Sequence, residues 1–260
     1  MSSLLERGIK VLEFLAGHPQ GMALSVIASH ADMPLSATHR LLAELVRIGY
    51  VRQLRGQGDY VLTIRLASLG LAYLSASGMV DVAQPTLDAL AETSRELVRL
   101  AIVDGDDLVF VAKAQGATRG LRYDPDMGLS VRLSCSAAGH AWLSTMTDDE
   151  ALARVAKQGL GSPQDHGPSA PTTISAVMGF VRATRRRGYA MISDMFAPAM
   201  ASLAAPVVCR GTTLGVVTIA GPMVRLTEDR MAALSDALRH AAEEVAGLSA
   251  SSMLFRKRVA

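Results

Sequence analysis

The strongest constraint on the fold is the proline at position 34, which stands between two short helical patterns. The segment before it contains SVIASHA (25–31), and the segment after it reads LSATHRLLAELVRIGYV (35–51). Because proline lacks a backbone N–H and is tolerated at the start of a helix but not inside one, Pro34 should open the second helix. Two helices joined by so short a turn are typical of a helix-turn-helix arrangement.

The flanking segments extend this arrangement in a consistent order. Apolar residues recur at helical spacing from Leu4 to Leu15, and Ser3 is placed to cap that helix. We expect Ser25 to lie near the cap of the next helix. After Gly49, YVRQL and YVLTI alternate as two strands around RGQGD, whose glycines permit a turn. Three helices followed by a basic hairpin predict a winged helix-turn-helix domain, with the hairpin as the wing.

The front of the helix after Pro34 is small, polar and basic, as the major groove of DNA requires of a recognition helix. Its apolar residues should pack inward. The residues predicted to face the groove are Ser36, Thr38, His39 and Arg40. The residues predicted to contact phosphate are Arg47, Arg52 and Arg55. For Arg40, a salt bridge to Glu44 four residues later is the alternative.

Composition limits the other classes of function. Half of the residues are apolar and the net charge is +2, with seven Lys or Arg against five Asp or Glu in residues 1–65. This excess does not by itself establish a nucleic-acid partner. Glu6 and Arg7 interrupt any signal peptide, so we expect a cytoplasmic protein without a membrane partner. Cys135 and Cys209 stand 74 positions apart, without the spacing of a metal site, so neither a metal nor a cofactor is expected.

From about residue 80, helical and strand patterns alternate. A helix at 81–95 leads into a hairpin of LVRLAIV and LVFVAKA, and a further strand is expected near LRYDP (121–125). Helices should begin after Ser136, Thr147 and Thr173, and the strands YAMIS, ASLAAPVVC and LGVVTIAG precede a last helix. The pattern predicts an α+β protein, with helices flanking an antiparallel sheet.

The expected domains are 1–62 for the winged helix-turn-helix, 63–79 for a linker helix and 80–260 for the larger domain. The linker helix, TIRLASLGLAYLSAS (63–77), carries apolar residues on several faces. We therefore expect it to pack against another subunit as well as its own domain.

Several segments keep a characteristic order and spacing along the chain. They are LSATHRLLAELVRIGYV, YVLTIRLASLG, LDALAETSRELVRLAIVDGDDLVFV, SCSAAGHAWL, RRRGYA, ASLAAPVV and TIAGPMVRLTEDR. In this order they resemble the IclR family of bacterial transcriptional regulators over nearly the whole chain. The resemblance implies a GAF-like effector-binding domain and a homodimer or homotetramer. It also implies control of a catabolic operon, with repression favoured over activation.

The loop SCSAAGHA (134–141) concentrates small residues at an expected helix start, where free N–H groups attract an anion such as a carboxylate. Ser134 belongs to this loop. In the alternative, these residues only permit close packing of a helix on the sheet. The resemblance implies effector contacts at Tyr123, Val131, Ala137, Ala138, Ile192, Ser202, Thr218 and Ala220. Because relatives can carry a polar group where this chain has Ile192, the pattern favours a larger carboxylate, such as an aromatic or hydroxylated one.

Two other classes of function compete with a DNA-binding regulator. Cys135 lies five residues before His140, and a thiolate at a helix start would suit a GAF-like, cysteine-dependent redox enzyme. The chain shows no nucleophile with an orienting acid, no metal-ligand constellation and no phosphate loop, so we expect no enzymatic activity. The third class is a sensor module that does not bind DNA, and the basic hairpin argues against it.

Overall fold

The computed structural model describes residues 3–54, 58–125, 127–128, 130–161 and 163–248. The chain divides into two units, Met1–Ala76 and Ser77–Ala260. In chain order, the elements of the first unit are α1 (Leu4–Ala16), α2 (Leu24–His30), α3 (Leu35–Arg47), β1 (Val51–Gln53), β2 (Tyr60–Leu62) and α4 (Ile64–Ser77), which reaches the boundary. Those of the second unit are α5 (Met79–Ser94), β3 (Leu97–Asp104), β4 (Asp107–Gln115), α6 (Ala137–Leu143), α7 (Asp148–Gln158), a 3₁₀ turn (Pro163–Asp165), α8 (Ile174–Arg187), β5 (Ala190–Ser193), β6 (Met200–Cys209), β7 (Thr212–Pro222) and α9 (Glu228–Leu248).

The first unit packs its helices and hairpin around one apolar cluster. Helix α1 begins with a capping box in which Ser3 and Glu6 satisfy each other's backbone N–H groups. Helix α2 begins at Leu24, and its N-cap Ala23 makes no side-chain cap bond, so Ser25 lies near the cap, two residues after it, without serving as the cap. The buried cluster includes Val11, Leu15, Ile27, Leu42, Leu45, Val51 and Tyr60. Strands β1 and β2 pair antiparallel, as the hairpin pattern predicted.

An antiparallel sheet forms the centre of the second unit. Within the described residues it has five strands in the order β4-β3-β7-β6-β5. Successive side chains on a strand point to opposite faces, so Val217 packs with α5 and α9 while Val216 packs with α6 and α8. Helices therefore cover both faces of the sheet, and the predicted α+β class is confirmed.

The segment 121–125 does not form the predicted strand. Its backbone carbonyls accept hydrogen bonds from side chains instead of from a neighbouring strand. The Nε2 of Gln115 donates to the Tyr123 carbonyl at 3.0 Å, and the Nη2 of Arg225 donates to the Leu121 carbonyl at 3.0 Å. These bonds hold the segment as a fixed loop beside the sheet.

In the part of the chain that the structure describes, no single helix is long and apolar enough to cross a membrane. Helices α4 and α5 reach the required length and apolar content only when they are taken together across the break between them.

Candidate functional sites

Helix α3 presents a polar and basic face to solvent. Ser36, His39 and Arg40 are exposed on it, as predicted, and so is Arg47 near its C-terminal end. Ser36 stands three residues before His39 and four before Arg40, and Arg47 follows Arg40 by seven, which places all four on one side of a helix. The described structure therefore brings four of the predicted DNA contacts onto one exposed face.

Thr38 does not belong to that face, so the prediction that it faces the groove is wrong. Its exposed fraction is 0%, and its hydroxyl donates to the Pro34 carbonyl at 3.1 Å. Thr38 stands three, four and seven residues before Leu41, Leu42 and Leu45, which is the spacing of the buried side of an amphipathic helix. Periodicity puts this threonine in the core although its neighbours in sequence are polar.

The expected alternative for Arg40 is replaced by a different ion pair. Glu44 pairs with Arg47, whose Nε donates to Oε2 at 2.9 Å and whose Nη2 contacts the other carboxylate oxygen. The hydrogen bond from Arg47 lowers the pKa of Glu44 below its ordinary value, and the same bond raises the pKa of Arg47. Among the described residues Arg40 has no ion-pair partner, so its guanidinium is available to a base or a phosphate.

The hairpin after α3 carries the remaining predicted contacts. Arg52 is exposed on β1, where it pairs with Val61 of β2. The Nε2 of Gln53 donates to the Gly58 carbonyl at 2.8 Å and the Leu54 N–H donates to the Asp59 carbonyl at 2.7 Å, which close the hairpin. Arg55, predicted to contact phosphate, lies outside the described residues.

The second unit contains a cavity between the sheet and the loops that lead into α6. The cavity has a volume of about 100 Å³, whereas one water molecule needs roughly 10–15 Å³ by the same measure. It can therefore admit a small organic molecule. The lining consists of Arg99, Phe110, Tyr123, Pro125, Ser130, Val131, Arg132, Ser136, Ala137, Ala138, Ile192, Phe196, Met200, Ala201, Ser202, Thr218 and Ala220. This set contains all but one of the residues predicted to contact an effector.

The exception is Ser134, and the prediction that it contacts the effector is wrong. Its exposed fraction is 0% and its hydroxyl donates to the Leu160 carbonyl at 3.0 Å, away from the cavity. Its carbonyl is bonded to the Nε2 of His140 at 2.8 Å. Both polar groups of Ser134 are therefore used inside the protein.

The small residues at the start of α6 serve close packing as well as the cavity. Ser136 caps the helix by accepting from the Gly139 N–H at 2.9 Å, and its hydroxyl donates to the Arg132 carbonyl at 2.6 Å. A Cβ on Gly139 would lie 2.5 Å from the Leu133 Cα, so only glycine fits there. Ala137 and Ala138 stand at the first turn and line the cavity.

Arg99 is among the cavity residues that sequence reasoning missed, and it is the buried charge of the lining. It is 7% exposed in the middle of β3, and its Nε has no hydrogen-bond partner in the structure. Its guanidinium carbon lies 3.7 Å from the centre of the Phe110 ring and 6.0 Å from that of Tyr123. Burial lowers the pKa of Arg99 below its ordinary value. The available signal was an arginine inside LVRLAIV, where all other residues are apolar.

A second charge is buried near Arg99, and it is paired. Glu96 is 4% exposed, and its carboxylate accepts from Nε and Nη2 of Arg225 at 2.7 and 2.8 Å. These bonds raise the pKa of Arg225. The same Nη2 also donates to the Leu121 carbonyl. Arg225 therefore joins the start of β3 to the loop that carries Tyr123.

Cys135 and His140 do not form the activated pair that a redox enzyme would need. Cys135 is 1% exposed, and burial raises the pKa of its thiol, which favours the neutral form. Burial also lowers the pKa of His140 to about 4, and its Nε2 is bonded to the Ser134 carbonyl. Within the described residues no group of three or more His, Cys, Asp or Glu could hold a metal ion.

Comparisons with known proteins agree with this arrangement. The family model described as IclR helix-turn-helix domain matches residues 4–55, and the model described as bacterial transcriptional regulator IclR C-terminal matches residues 71–247. The transcriptional repressor IclR of Escherichia coli and the acetate operon repressor of Salmonella typhimurium are each 28% identical over 246 residues, which covers 93% of this chain and 88% of theirs. A solved structure of an IclR homolog from Microbacterium hydrocarbonoxydans, complexed with 4-hydroxybenzoate, has a TM-score of 0.79 and 22% identity, and covers 96% of this chain and 100% of that one.

Proposed function

Because the chain belongs to the IclR family of bacterial transcriptional regulators, we propose that it represses a catabolic operon and leaves its operator when a small organic acid enters the cavity. Two features already follow from the family: the first unit binds DNA and the protein responds to a small molecule. Repression, the kind of operon and the chemistry of the acid belong to the proposal.

The observation that carries the proposal is the cavity. Its lining is mostly apolar with a few polar groups, which is the composition of a site for a small organic molecule. The relative from Microbacterium hydrocarbonoxydans was solved with 4-hydroxybenzoate, an aromatic acid. The strands and the loop segment of residues 116–125 supply five of the proposed effector contacts, which are Tyr123, Ile192, Ser202, Thr218 and Ala220. Val131, Ala137 and Ala138 are those supplied by the segment that enters α6.

Operator binding is proposed to occur through α3 and the hairpin. Ser36, His39 and Arg40 are the proposed groove contacts, and Arg47, Arg52 and Arg55 the proposed phosphate contacts. Repression is supported by the two named relatives from Escherichia coli and Salmonella typhimurium, each of which is a repressor. Binding of the acid should weaken operator binding about 5–150-fold, the usual range of an allosteric coupling.

The protein is proposed to act as a homodimer or homotetramer. One recognition helix reads too few base pairs for useful specificity, so two half-sites about one helical turn or a multiple apart are expected. Helix α4 is the proposed contact between subunits because it exposes large apolar side chains. The side chains concerned are Ile64 (76% exposed), Leu69 (59%), Leu71 (65%) and Tyr73 (63%).

The proposal is tested by a gel-shift titration of the full chain on the DNA upstream of its own gene. We expect retention of that fragment at low salt, and its release by an acid that also raises the melting temperature of the protein. Thr218→Leu should fill the cavity and abolish the response to the acid, whereas Val208→Leu, at an exposed position on β6, should keep it. Failure to retain the fragment at any salt concentration, or an unchanged response in Thr218→Leu, would contradict the proposal.

A further inference from the structure

We infer that the guanidinium of Arg99 binds the carboxylate of the effector, so that the cavity selects aromatic monocarboxylic acids over their uncharged analogues. This inference rests on the proposed function, because it takes the cavity to be the effector site. The carboxylate is thus placed against a side chain of strand β3. It is not placed against the backbone N–H groups at the start of α6, which is a short helix of seven residues.

The first step is the burial of an unpaired cation. An ionised group that leaves water without a partner costs several kcal/mol of folding free energy, and arginine keeps its proton even when it is buried. Among the described residues, no carboxylate or carbonyl accepts a hydrogen bond from the Arg99 side chain, and its Nε is enclosed. Within the described residues Arg99 is therefore a buried cation without an anionic partner, and an anion from outside the chain can complement it.

The second step is a comparison within the same strand region. Glu96 is buried three residues earlier, and the fold supplies it with two hydrogen bonds from Arg225. Asp124 is the acidic group that acts on Arg99 through space, but its carboxylate is exposed and pairs with Lys113 at 2.5 Å. Within the described residues the buried acid Glu96 thus has its partner, and the buried base Arg99, which lines the cavity, has none.

The third step is the direction in which Arg99 can bind. Its flat guanidinium group lies over the Phe110 ring, so one face is covered and the N–H groups around the edge remain for a ligand. A carboxylate matches that edge, because its two oxygens can accept two parallel hydrogen bonds from a guanidinium group. A single acid group of the ligand can therefore accept two of the five N–H donors of Arg99.

The fourth step concerns the body of the ligand. The chain has five Phe and five Tyr among 260 residues, yet Phe110, Tyr123 and Phe196 all line this cavity. Aromatic side chains favour flat ligands that can stack against them or meet their edges. Val131, Ile192 and nearby alanines make much of the remaining lining apolar, although it also includes Ser130, Arg132, Ser136, Ser202 and Thr218. An aromatic ring that carries one carboxylate fits both the cation and these walls.

The inference is tested by calorimetry on the full chain with benzoate, 4-hydroxybenzoate and phenylacetate, each paired with its carboxamide. In the native protein we expect at least one acid to bind, with its amide at least about 30-fold weaker, since removing one partner of a buried charge pair typically costs that much or more. Arg99→Met should weaken the acid by a similar factor. The preference for acid over amide should then shrink to within about 3-fold, as expected when the coupled partner is gone.

Two controls test whether Arg99 binds the carboxylate directly. The first asks whether Arg99 only stabilises the fold, and the second asks whether any positive charge in the cavity has the same effect. Without ligand, Arg99→Met should melt at the same temperature as the native protein or higher, because an unpaired buried charge is replaced by an apolar chain. Arg132→Met removes a partly exposed arginine of the same cavity and should change acid affinity by less than about 3-fold, since an exposed charge is screened by water.

The inference is overturned if no acid binds the native protein. It is also overturned if Arg99→Met keeps the preference for acid over amide, or if Arg132→Met loses as much acid affinity as Arg99→Met. The proposed function fails separately, if the chain retains no promoter DNA or if bound ligand leaves DNA binding unchanged. Acid binding through Arg99 would then stand without a regulatory role.

Discussion

Helix α3 in the first unit and strand β3 in the second each carry an arginine without an ion-pair partner among the described residues, in opposite surroundings. Arg40 is exposed on the polar face of its helix, whereas Arg99 is 7% exposed between aromatic rings. Water hydrates the first guanidinium in the absence of DNA. No such hydration is available to the enclosed Nε of the second.

The difference separates two ways of keeping a charge for a ligand. An exposed arginine can be replaced with little effect on folding, so its role appears only in DNA binding. A buried charge is coupled to folding, because its partners determine whether the charged form is tolerated. Substitutions of exposed charged groups in the first unit should therefore alter DNA binding, and substitutions that leave a charge buried without its partner in the second unit should alter the free energy of unfolding.

The largest effect is expected where a buried charge loses its partner. Arg225→Met leaves the Glu96 carboxylate buried without its two hydrogen bonds, so the free energy of unfolding should fall by about 3–5 kcal/mol. Denaturant titration measures this change. Arg122→Met is the matched control, because Arg122 is an exposed arginine of the same loop that Arg225 contacts. Its Nη2 lies 4.0 Å from the Oδ2 of Asp124, which is also exposed. If the free energy of unfolding of Arg225→Met fell by less than about 1 kcal/mol, the contrast between an exposed charge in the first unit and a buried charge in the second would not hold.

A pH titration should sharpen the same contrast through His140. Its folded-state pKa is lowered to about 4 from an ordinary value of 6.5, so the unfolded chain binds the proton more readily between these values. The contribution to stability is complete above pH 6.5 and is lost as the pH falls toward 4, by about 3 kcal/mol in total. His140→Gln should remove this dependence.

His39→Gln is the control in the first unit, because it replaces a histidine that is exposed on α3. It should leave the loss of stability between pH 6.5 and 4 as it is in the native chain. The assignment to His140 fails if the His140→Gln protein keeps the full dependence when unfolding is followed by denaturant titration at each pH.

A moderate effect is expected from Arg40→Ala, and it should appear in DNA binding alone. Loss of a direct base contact should reduce discrimination against a mismatched operator by roughly 1–3 kcal/mol. Arg47→Ala, which removes a phosphate contact, should weaken all sequences alike and lower the salt slope by about one. Competition gel shifts on matched and mismatched fragments distinguish the two. Equal losses of specificity in both variants would contradict the distinct roles assigned here.

The smallest effect is expected from Thr38→Val, which tests the corrected position of this threonine. The variant keeps the shape of a fully buried side chain and removes its hydrogen bond to Pro34, so unfolding should become easier by about 1 kcal/mol. Operator preference should not change. Ser36→Ala, on the exposed face, should show the reverse, with stability preserved and DNA affinity reduced. A changed base preference in Thr38→Val would contradict the assignment of Thr38 to the core and indicate that it contacts DNA.

Much of the local structure follows from short patterns. A helix was predicted to begin after Thr147, and α7 begins there with a capping box in which Thr147 and Glu150 make both hydrogen bonds. Thr173 caps α8 and Gly188 ends it with a left-handed backbone conformation that glycine adopts easily. In each of these features the interacting residues lie within a few positions of each other, so a short stretch of sequence is enough to predict it. The error at Thr38 came from grouping residues by polarity instead of helical position.

The sequence alone determined the order of the observed helices and strands, the helix-turn-helix arrangement and the exposed basic face of α3, because local periodicity and capping set each of them. It also predicted a strand at 121–125 that does not form. Only the tertiary structure decided that Arg99 lies buried and without an ion-pair partner beside Phe110, and that Arg225 reaches back 129 positions to Glu96. Whether a buried charge has a partner depends on which strands and loops meet in space. The local sequence around each of these residues does not indicate a contact with a residue so far away in the chain.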